Sequence, residues 1–281
     1  MENANKLGLI AGGGDLPLRV IAACREVGRP VFVTALTGAC DPETVIDVPH
    51  LWVEVGAVGK VVEALKAAQC TDVVLAGSVL RPDLRQIKPD WQGLRLLPKV
   101  VLAAARGDDA IIKTLVDFIE SQGFRVIGAE EVVRELLAPE GVMGKINHSE
   151  SDLADMTRAI AVALALGQMD VGQAAIVRDH VVLGVEAVEG TNALIDRCGL
   201  MALPSRGGVL VKVPKPGQER RVDLPTIGIV TIEKAISARL NGIAVEAGGA
   251  LILDRDEVVR QADAAGLFIY GFNGGSPARS Q

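Results

Sequence analysis

The sequence predicts an α/β protein of two domains: an N-terminal Rossmann-like parallel sheet with helices, and a separate C-terminal α/β domain. Three observations carry this reading. Short apolar runs alternate with stretches of helical period through the first half of the chain. A Gly-rich turn, Gly12-Gly13-Gly14-Asp15, sits between the first such run and the first helical stretch. The 281 residues exceed the usual size of one domain, and the pattern breaks at LAPEGVMGK, residues 137–145, where a Pro and two Gly intervene. The domains are therefore drawn at 1–138 and 139–281.

The elements follow in order. KLGLIA (6–11) reads as a buried strand, and LRVIAACREVG as a helix stopped by Gly28. PVFVTAL (30–36), LWVEV (51–55) and DVVLAGSV (72–79) read as further strands, with a helix over GAVGKVVEALKAAQC. Strands joined through helices imply a parallel sheet. Two helical stretches within 94–122 are split at RGDD (106–109). FRVIGA (124–129) is a strand and EEVVRELL a helix.

The second half opens with a helix from about Ser151 to Leu166, with Ser151 as its cap. QAAIVRDHVVLGVEAVEG reads as two strands about a turn at Asp179 and His180. NALIDRC is a helix ending at Gly199, and GVLVKVPKPG a strand entering a Pro/Gly turn. A helix covers roughly 229–240, where Ile229, Ile232, Ile236 and Leu240 share one face. IAVEAGGALIL and GLFIYGF are the last strands, and GGSPARSQ reads as a frayed tail.

Composition narrows the function. Aromatic residues make up 3%, so Val, Leu, Ile and Ala must fill the core. A net charge of −6 repels nucleic-acid backbones, and no nucleic-acid partner is expected. An anionic ligand must be met locally, by helix N-termini, a few cations or a metal. The four cysteines show no CxxC spacing, which fits reduced thiols in the cytoplasm. No apolar run reaches the roughly 18–20 residues that span a bilayer. His50, His148 and His180 lie far apart, and HExxH, GxSxG and P-loop patterns are absent.

Five places could carry chemistry. Gly12, Gly13, Gly14 and Asp15 could present backbone N–H groups to a phosphate, with Gly77-Ser78 at the same sheet edge. A merely tight turn gives the same sequence. Pro17 stands where a third glycine would complete the dinucleotide fingerprint, which argues against a standard NAD site. Glu186 lies in an apolar strand, where a carboxylate needs a partner. Glu189 can converge with it only if the strand ends first, and Gly190 allows that. Thr191 would then cap the next helix, whose N-terminus could bind an anion. A surface Glu and a simple cap remain the plain alternative.

Lys212, inside a Val-rich strand, needs a phosphate or carboxylate partner, unless it is an edge-strand lysine. Lys215 follows it in VPKPG. Asp223 precedes Leu224-Pro225, and Pro225 holds Leu224 out of helical conformation. That displays Asp223 on a stiff loop, as a metal ligand, a base, or only an Asx turn. Glu246 ends an apolar strand beside glycines as a further candidate ligand. Carboxylates, lysines and helix ends together suit Mg²⁺-assisted work on a phosphorylated substrate.

LGLIAGGGDLP, RGDDAIIKTLVDFIESQGFRVIGAEE, QAAIVRDHVVLGVEAVEGTNALIDR, GVLVKVPKPGQERRVDLPTIG and GIAVEAGGALILDRDEV stand in order along the chain. Together they resemble the LpxI-type UDP-2,3-diacylglucosamine pyrophosphatases of lipid A biosynthesis, over nearly the whole length. The resemblance implies Mg²⁺-dependent hydrolysis of UDP-2,3-diacylglucosamine to UMP and 2,3-diacylglucosamine 1-phosphate (lipid X). It matches Asp223 to the family's essential aspartate in DLPT.

The expected mechanism places the reaction between the two domains, with the Gly12–Asp15 loop and Ser78 toward the nucleotide. Asp223, Glu186 and Glu246 are the expected metal ligands, and Asp223, Glu186, Glu189 and Lys212 the expected catalytic groups. Gly190, Thr191, Lys215 and Thr226 would complete substrate binding. A cytoplasmic chain in transient contact with the inner-membrane surface is expected, and a homodimer is the base-rate assembly. The rival readings are a nucleotide-dependent oxidoreductase and a non-catalytic binder of nucleotide sugars or lipids.

Overall fold

The computed structural model describes residues 5–79, 88–105, 107–201 and 205–274. The chain divides into two compact units, Met1–Arg134 and Glu135–Gln281.

The first unit is built on a five-stranded, wholly parallel sheet. In chain order its elements are β1 (Leu7–Ala11), α1 (Leu16–Glu26), β2 (Val31–Leu36), β3 (His50–Val53), α2 (Val58–Ala67) and β4 (Asp72–Ala76). They continue with α3 (Trp91–Ala104), α4 (Asp108–Ser121), β5 (Arg125–Val126) and the short α5 (Ala129–Val132). The strand order is β3-β2-β1-β4-β5, with every neighbouring pair parallel. This is the Rossmann-like sheet that the alternation of apolar runs and helical periods predicts. Leu7, Leu9, Val33 and Val74 are buried in one continuous core beneath the helices.

The strand order reverses between β1 and β4, which is where such sheets open a crevice. Asp72, at the start of β4, is buried and takes hydrogen bonds from Arg29 at 2.5 Å and from Arg125 at 2.9 and 3.0 Å.

The second unit contains β6 (Gly141–Met143), α6 (Glu150–Gln168), β7 (Ala174–Arg178), β8 (Val181–Val185), α7 (Gly190–Gly199) and β9 (Val209–Lys212). Then follow β10 (Thr226–Ile227), α8 (Ile229–Ser237), β11 (Gly242–Glu246), β12 (Leu251–Ile252), α9 (Arg255–Ala264) and β13 (Phe268–Phe272). Six strands form a sheet in the order β6-β13-β11-β9-β7-β8, and β10 pairs with β12 apart from it. Strands β9, β11 and β13 are mutually parallel. Strand β7 runs against β9 and β8 against β7, so β8 points the same way as β9.

The sheet alternates its faces. Ala174, Ile176, Leu210, Ile243 and Val245 face the core shared with α7, α8 and α9. Ala175, Val177, Val211 and Ala244 face the core shared with α6.

Several boundaries differ from the sequence reading. The stretch 130–137 yields only the four-residue α5 and a 3₁₀ turn, because Val133 leaves the helical region at φ −125° and ψ 81°. The cap of α6 is Ser149, not Ser151. Its hydroxyl accepts from the Asp152 N–H at 3.1 Å while Asp152 accepts in return from the Ser149 N–H at 2.9 Å, a reciprocal box that Ser151 cannot form. Strands β6 and β10 lie in stretches read as breaks or loops, and α9 in one left without an element. Arg106 and, from 275 on, the GGSPARSQ tail fall outside the described residues.

Candidate functional site

Two buried charged side chains of the second unit, Glu186 and Lys212, stand at one edge of the six-stranded sheet. Lys212 is the last residue of β9 and pairs with Ala174 on one side and Val245 on the other. Glu186 follows directly on β8, and its N–H donates to the Ala174 carbonyl at 2.8 Å. Ala174 thus stands between Glu186 and Lys212. The edge is formed by the carboxyl ends of β8, β9 and β11, the usual ligand-binding edge of an α/β sheet.

Glu186 is buried and fully engaged. Its Oε2 accepts from the Gln173 N–H at 3.0 Å, and its Oε1 from the Thr191 hydroxyl at 2.6 Å. Gly172 makes room for it: a Cβ at that position would lie 2.1 Å from the Glu186 carbonyl oxygen. Thr191 lies inside the first turn of α7, whose cap is Glu189. Its hydroxyl therefore ties the helix start to Glu186 rather than capping the helix. Gly190, with φ +81°, makes the turn between them.

Lys212 is buried as well, and its Nζ donates to the Thr226 carbonyl at 3.0 Å. Burial pushes the ammonium below the ordinary lysine range, while the negative charges of Glu186 and Asp223 oppose that shift. Asp223 sits in the loop between β9 and β10. Its N–H donates to the Glu219 carbonyl at 3.1 Å, and its Oδ2 accepts from the Gln218 amide nitrogen. Gln218 is buried, and its Oε1 accepts from the Lys215 N–H at 2.8 Å. Thr226 starts β10 and donates its own hydroxyl to the Leu224 carbonyl at 3.1 Å. Glu186 with Thr191, Lys212 with Thr226 and Asp223 with Gln218 thus form three hydrogen-bonded pairs near the end of β9, and the charges of Glu186 and Asp223 act on Lys212.

Other predicted residues point elsewhere. The strand ends before Glu189, as convergence with Glu186 required, yet the two side chains diverge. Glu189 pairs with Arg197 at 3.0 Å on the outside of α7. Its carboxyl is held below the usual range by its own backbone N–H and then by Arg197. Lys215 pairs with Asp170 at 2.5 Å beyond the end of α6. Glu246, on the strand beside Lys212, accepts from Arg220 at 2.5 Å. Among the described residues, no group of three or more His, Cys, Asp or Glu side chains is placed to hold a metal. Glu186 and Asp223 are the carboxylates whose charge acts on Lys212, Glu186 the more strongly.

In the first unit the loops after β1 and β4 meet, as their place in the sheet predicts. Gly13 and Ser78 exchange backbone hydrogen bonds at 2.8 and 2.9 Å, and the Gly12 N–H donates to the Ala76 carbonyl at 2.8 Å. A Cβ on Gly12 would lie 2.5 Å from the Ser78 carbonyl oxygen, so this glycine permits the close approach. The amides of Gly12 and Gly13 are thereby engaged within the loops. The Gly14 N–H faces the Asp41 carboxylate at 3.4 Å. Asp15 precedes α1 and is exposed, without a side-chain cap bond.

Gln218, Gln173 and Gly172 were not among the predicted residues. A glutamine within GQERR carries no periodic signal, and its burial depends on a loop folding back over a strand end.

The fold and these side chains define a two-unit α/β protein with a buried lysine, under the charge of Glu186 and Asp223, at the carboxyl edge of its second sheet. Sequence comparison makes the assignment sharper. The LpxI N-terminal domain family matches residues 6–136 and the LpxI C-terminal domain family residues 139–270. UDP-2,3-diacylglucosamine pyrophosphatase LpxI of Caulobacter vibrioides is 44% identical over 272 residues, 95% of this chain and 97% of that protein. The chain belongs to the LpxI family.

Two solved structures are remotely similar in fold. UDP-glucose 4-epimerase of Thermus thermophilus in complex with NAD aligns at 14% identity and a TM-score of 0.32, over 97% of this chain and 88% of that one. The biotin carboxylase subunit of pyruvate carboxylase aligns at 13% identity and a TM-score of 0.24, over 62% of this chain and 34% of the other. Neither carries a functional argument. Among the described residues, no helix is long and apolar enough to cross a membrane.

Proposed function

We propose that this chain hydrolyses the pyrophosphate bond of UDP-2,3-diacylglucosamine, releasing UMP and 2,3-diacylglucosamine 1-phosphate (lipid X), and that it does so with Mg²⁺. Membership of the LpxI family and the name of the Caulobacter relative support the substrate. The observation that carries the chemistry is the group around the end of β9: a buried ammonium held by the Thr226 carbonyl, with the charges of Glu186 and Asp223 acting on it.

Each side chain has a part. Asp223 accepts a proton from the attacking water as the new O–P bond forms. Gln218 holds the Asp223 Oδ2 and so orients the carboxylate. The bridging P–O bond breaks, and its electron pair goes to the leaving phosphate. Lys212 carries fixed positive charge where that negative charge develops, in a site that burial keeps low in dielectric. Glu186, held at both oxygens, keeps Lys212 charged and fixes the start of α7.

One or two carboxylates beside a diphosphate are the kind of donors Mg²⁺ takes. Glu186 and Asp223 would hold it, and it would supply further charge neutralisation at the diphosphate.

The test is direct. Purified protein is given UDP-2,3-diacylglucosamine with Mg²⁺, then with EDTA, and UMP and lipid X are followed by chromatography. Both products in equal amounts, suppressed by EDTA and restored by Mg²⁺, are expected. Tight retention of the substrate with no UMP would replace hydrolysis by binding alone.

A further inference from the structure

Helix α3 carries two apolar faces, and only one is packed. Gly93, Leu96 and Ala103 are buried, and α3 lies against α2 and α4. At 3.6 residues per turn, Trp91, Leu94, Pro98, Val101, Leu102 and Ala105 fall within an arc of about 100° on another side of the helix axis. Trp91 is 68% exposed, Leu94 49%, Val101 48% and Leu102 63%. Leu97, Pro98, Val101, Leu102 and Ala105 line an open groove of about 600 Å³. A continuous exposed apolar stripe of this kind marks an interaction surface, unlike isolated surface leucines.

Charge selects the partner. Helix α3 contains Arg95 and Lys99 and no Asp or Glu, within a chain whose net charge is −6. Both cations are exposed and border the stripe. The Arg95 guanidinium lies 5.0 Å from the centre of the Trp91 ring. Leucine and valine on one arc, a tryptophan at its end and cations along its edge are the marks of a helix lying in a lipid interface. The aliphatic groups enter the acyl region, while the cations meet anionic headgroups. A second copy docking through this face about a two-fold axis would instead bring the same cations against each other.

We propose that the exposed face of α3 is a docking surface for a bilayer containing anionic phospholipid. The proposal deepens the functional reading above, since a diacylated substrate resides in a bilayer, and only its activity arm rests on that reading.

The experiment uses the full chain carrying Trp52→Phe, so that Trp91 is the sole tryptophan. Vesicles of phosphatidylglycerol and phosphatidylcholine are compared with phosphatidylcholine alone, by co-sedimentation and Trp91 emission. Binding to the anionic vesicles with a blue shift, and weaker binding to the neutral ones, is expected.

Two variants separate the contributions. L94Q/L102Q weakens vesicle binding at least about tenfold per leucine replaced. R95Q/K99Q lowers the preference for anionic vesicles about fivefold per charge. Circular dichroism remains unchanged in both. L94Q/L102Q also loses UMP release from substrate in vesicles while keeping it in detergent micelles.

Absence of vesicle binding by the parent, or binding unaltered in L94Q/L102Q, overturns the proposal. So does a variant that turns a dimer into a monomer while still binding vesicles as before, which would make α3 a protein interface. Vesicle binding that depends on α3, with no UMP release in either vesicles or micelles, supports the docking surface and defeats the pyrophosphatase reading alone.

Discussion

Lys212 Nζ donates to the Thr226 carbonyl at 3.0 Å, so the buried ammonium at the end of β9 is tied to the residue three places beyond Asp223. One hydrogen bond thus couples the strand that delivers the positive charge to the loop that delivers the carboxylate. Val222, Leu224 and Pro225 have little freedom to carry Asp223 away while Thr226 is held by Lys212 and β10 is paired to β12.

The first prediction concerns the pH dependence of turnover. The charged form of Lys212 is the working form, and burial lowers its pKa from the ordinary 10.5. Turnover therefore falls as pH rises through that lowered value, and the alkaline limb lies below 10.5. In Glu186→Gln the charge that supports the ammonium is removed, so the limb moves to still lower pH. A limb at or above 10.5 in the parent protein would contradict this.

Gln218 is a positioning residue for Asp223. Gln218→Ala removes the donor to Oδ2 and lowers kcat through disorder of the carboxylate, by about tenfold, with KM little changed. Gln218→Asn keeps the amide but shortens its reach, and lowers kcat less than the alanine variant. Circular dichroism of both variants, read beside kcat and KM, distinguishes positioning from loss of folding.

Thr191→Val keeps the side-chain volume but removes the hydroxyl that donates to Glu186. The loss leaves one carboxylate oxygen without its buried donor and costs about 1–3 kcal/mol of stability. Urea unfolding measures it. A loss within error of zero would mean that water replaces the hydroxyl.

Asp72 offers a test in the first unit. Burial alone would raise its carboxyl, but Arg125 and Arg29 outweigh burial and hold it below its ordinary 3.8. The stabilisation is present above 3.8 and is lost as pH falls through the lowered folded value. Asp72→Asn removes it at neutral pH and lowers stability, by less than a fully buried ion pair would because Arg125 is exposed. It also flattens the loss of stability on acidification, measured by urea titrations at several pH values. An unchanged acid profile would exclude this ion triad as its source.

Much of the fold was legible because it depends on local pattern. The apolar runs at β1, β2, β4, β7 and β9 are short, Val- and Ile-rich, and flanked by turn residues, and the sequence reading places all of them. The turn at Asp179 and His180 is likewise legible, and both residues take positive φ, at 49° and 63°. The face shared by Ile229, Ile232, Ile236 and Leu240 packs into a single core. Strands β10 and β12, at two residues each, are too short to show a period.

The site was legible in its residue types but not in their pairing. A Glu in an apolar stretch and a Lys in a Val-rich strand must have partners, and Glu186 and Lys212 stand out for that reason. Which partners they take depends on strand order. Nothing local to Ala174 shows that it separates Glu186 from Lys212. Nor does VEGTN show that Glu189 turns outward to Arg197 while Thr191 turns inward. Arg220 engages Glu246 through a contact 26 residues away in sequence, beyond any pattern window.

The most direct measurement is UMP release by Asp223→Asn, with substrate binding followed separately by calorimetry on the same protein. The expected result is binding within a few fold of the parent and turnover lowered by at least about a hundredfold, the usual scale for losing a positioned base. A folded Asp223→Asn protein that binds substrate and turns it over at close to the parent rate would contradict the central role given to the cluster at the end of β9.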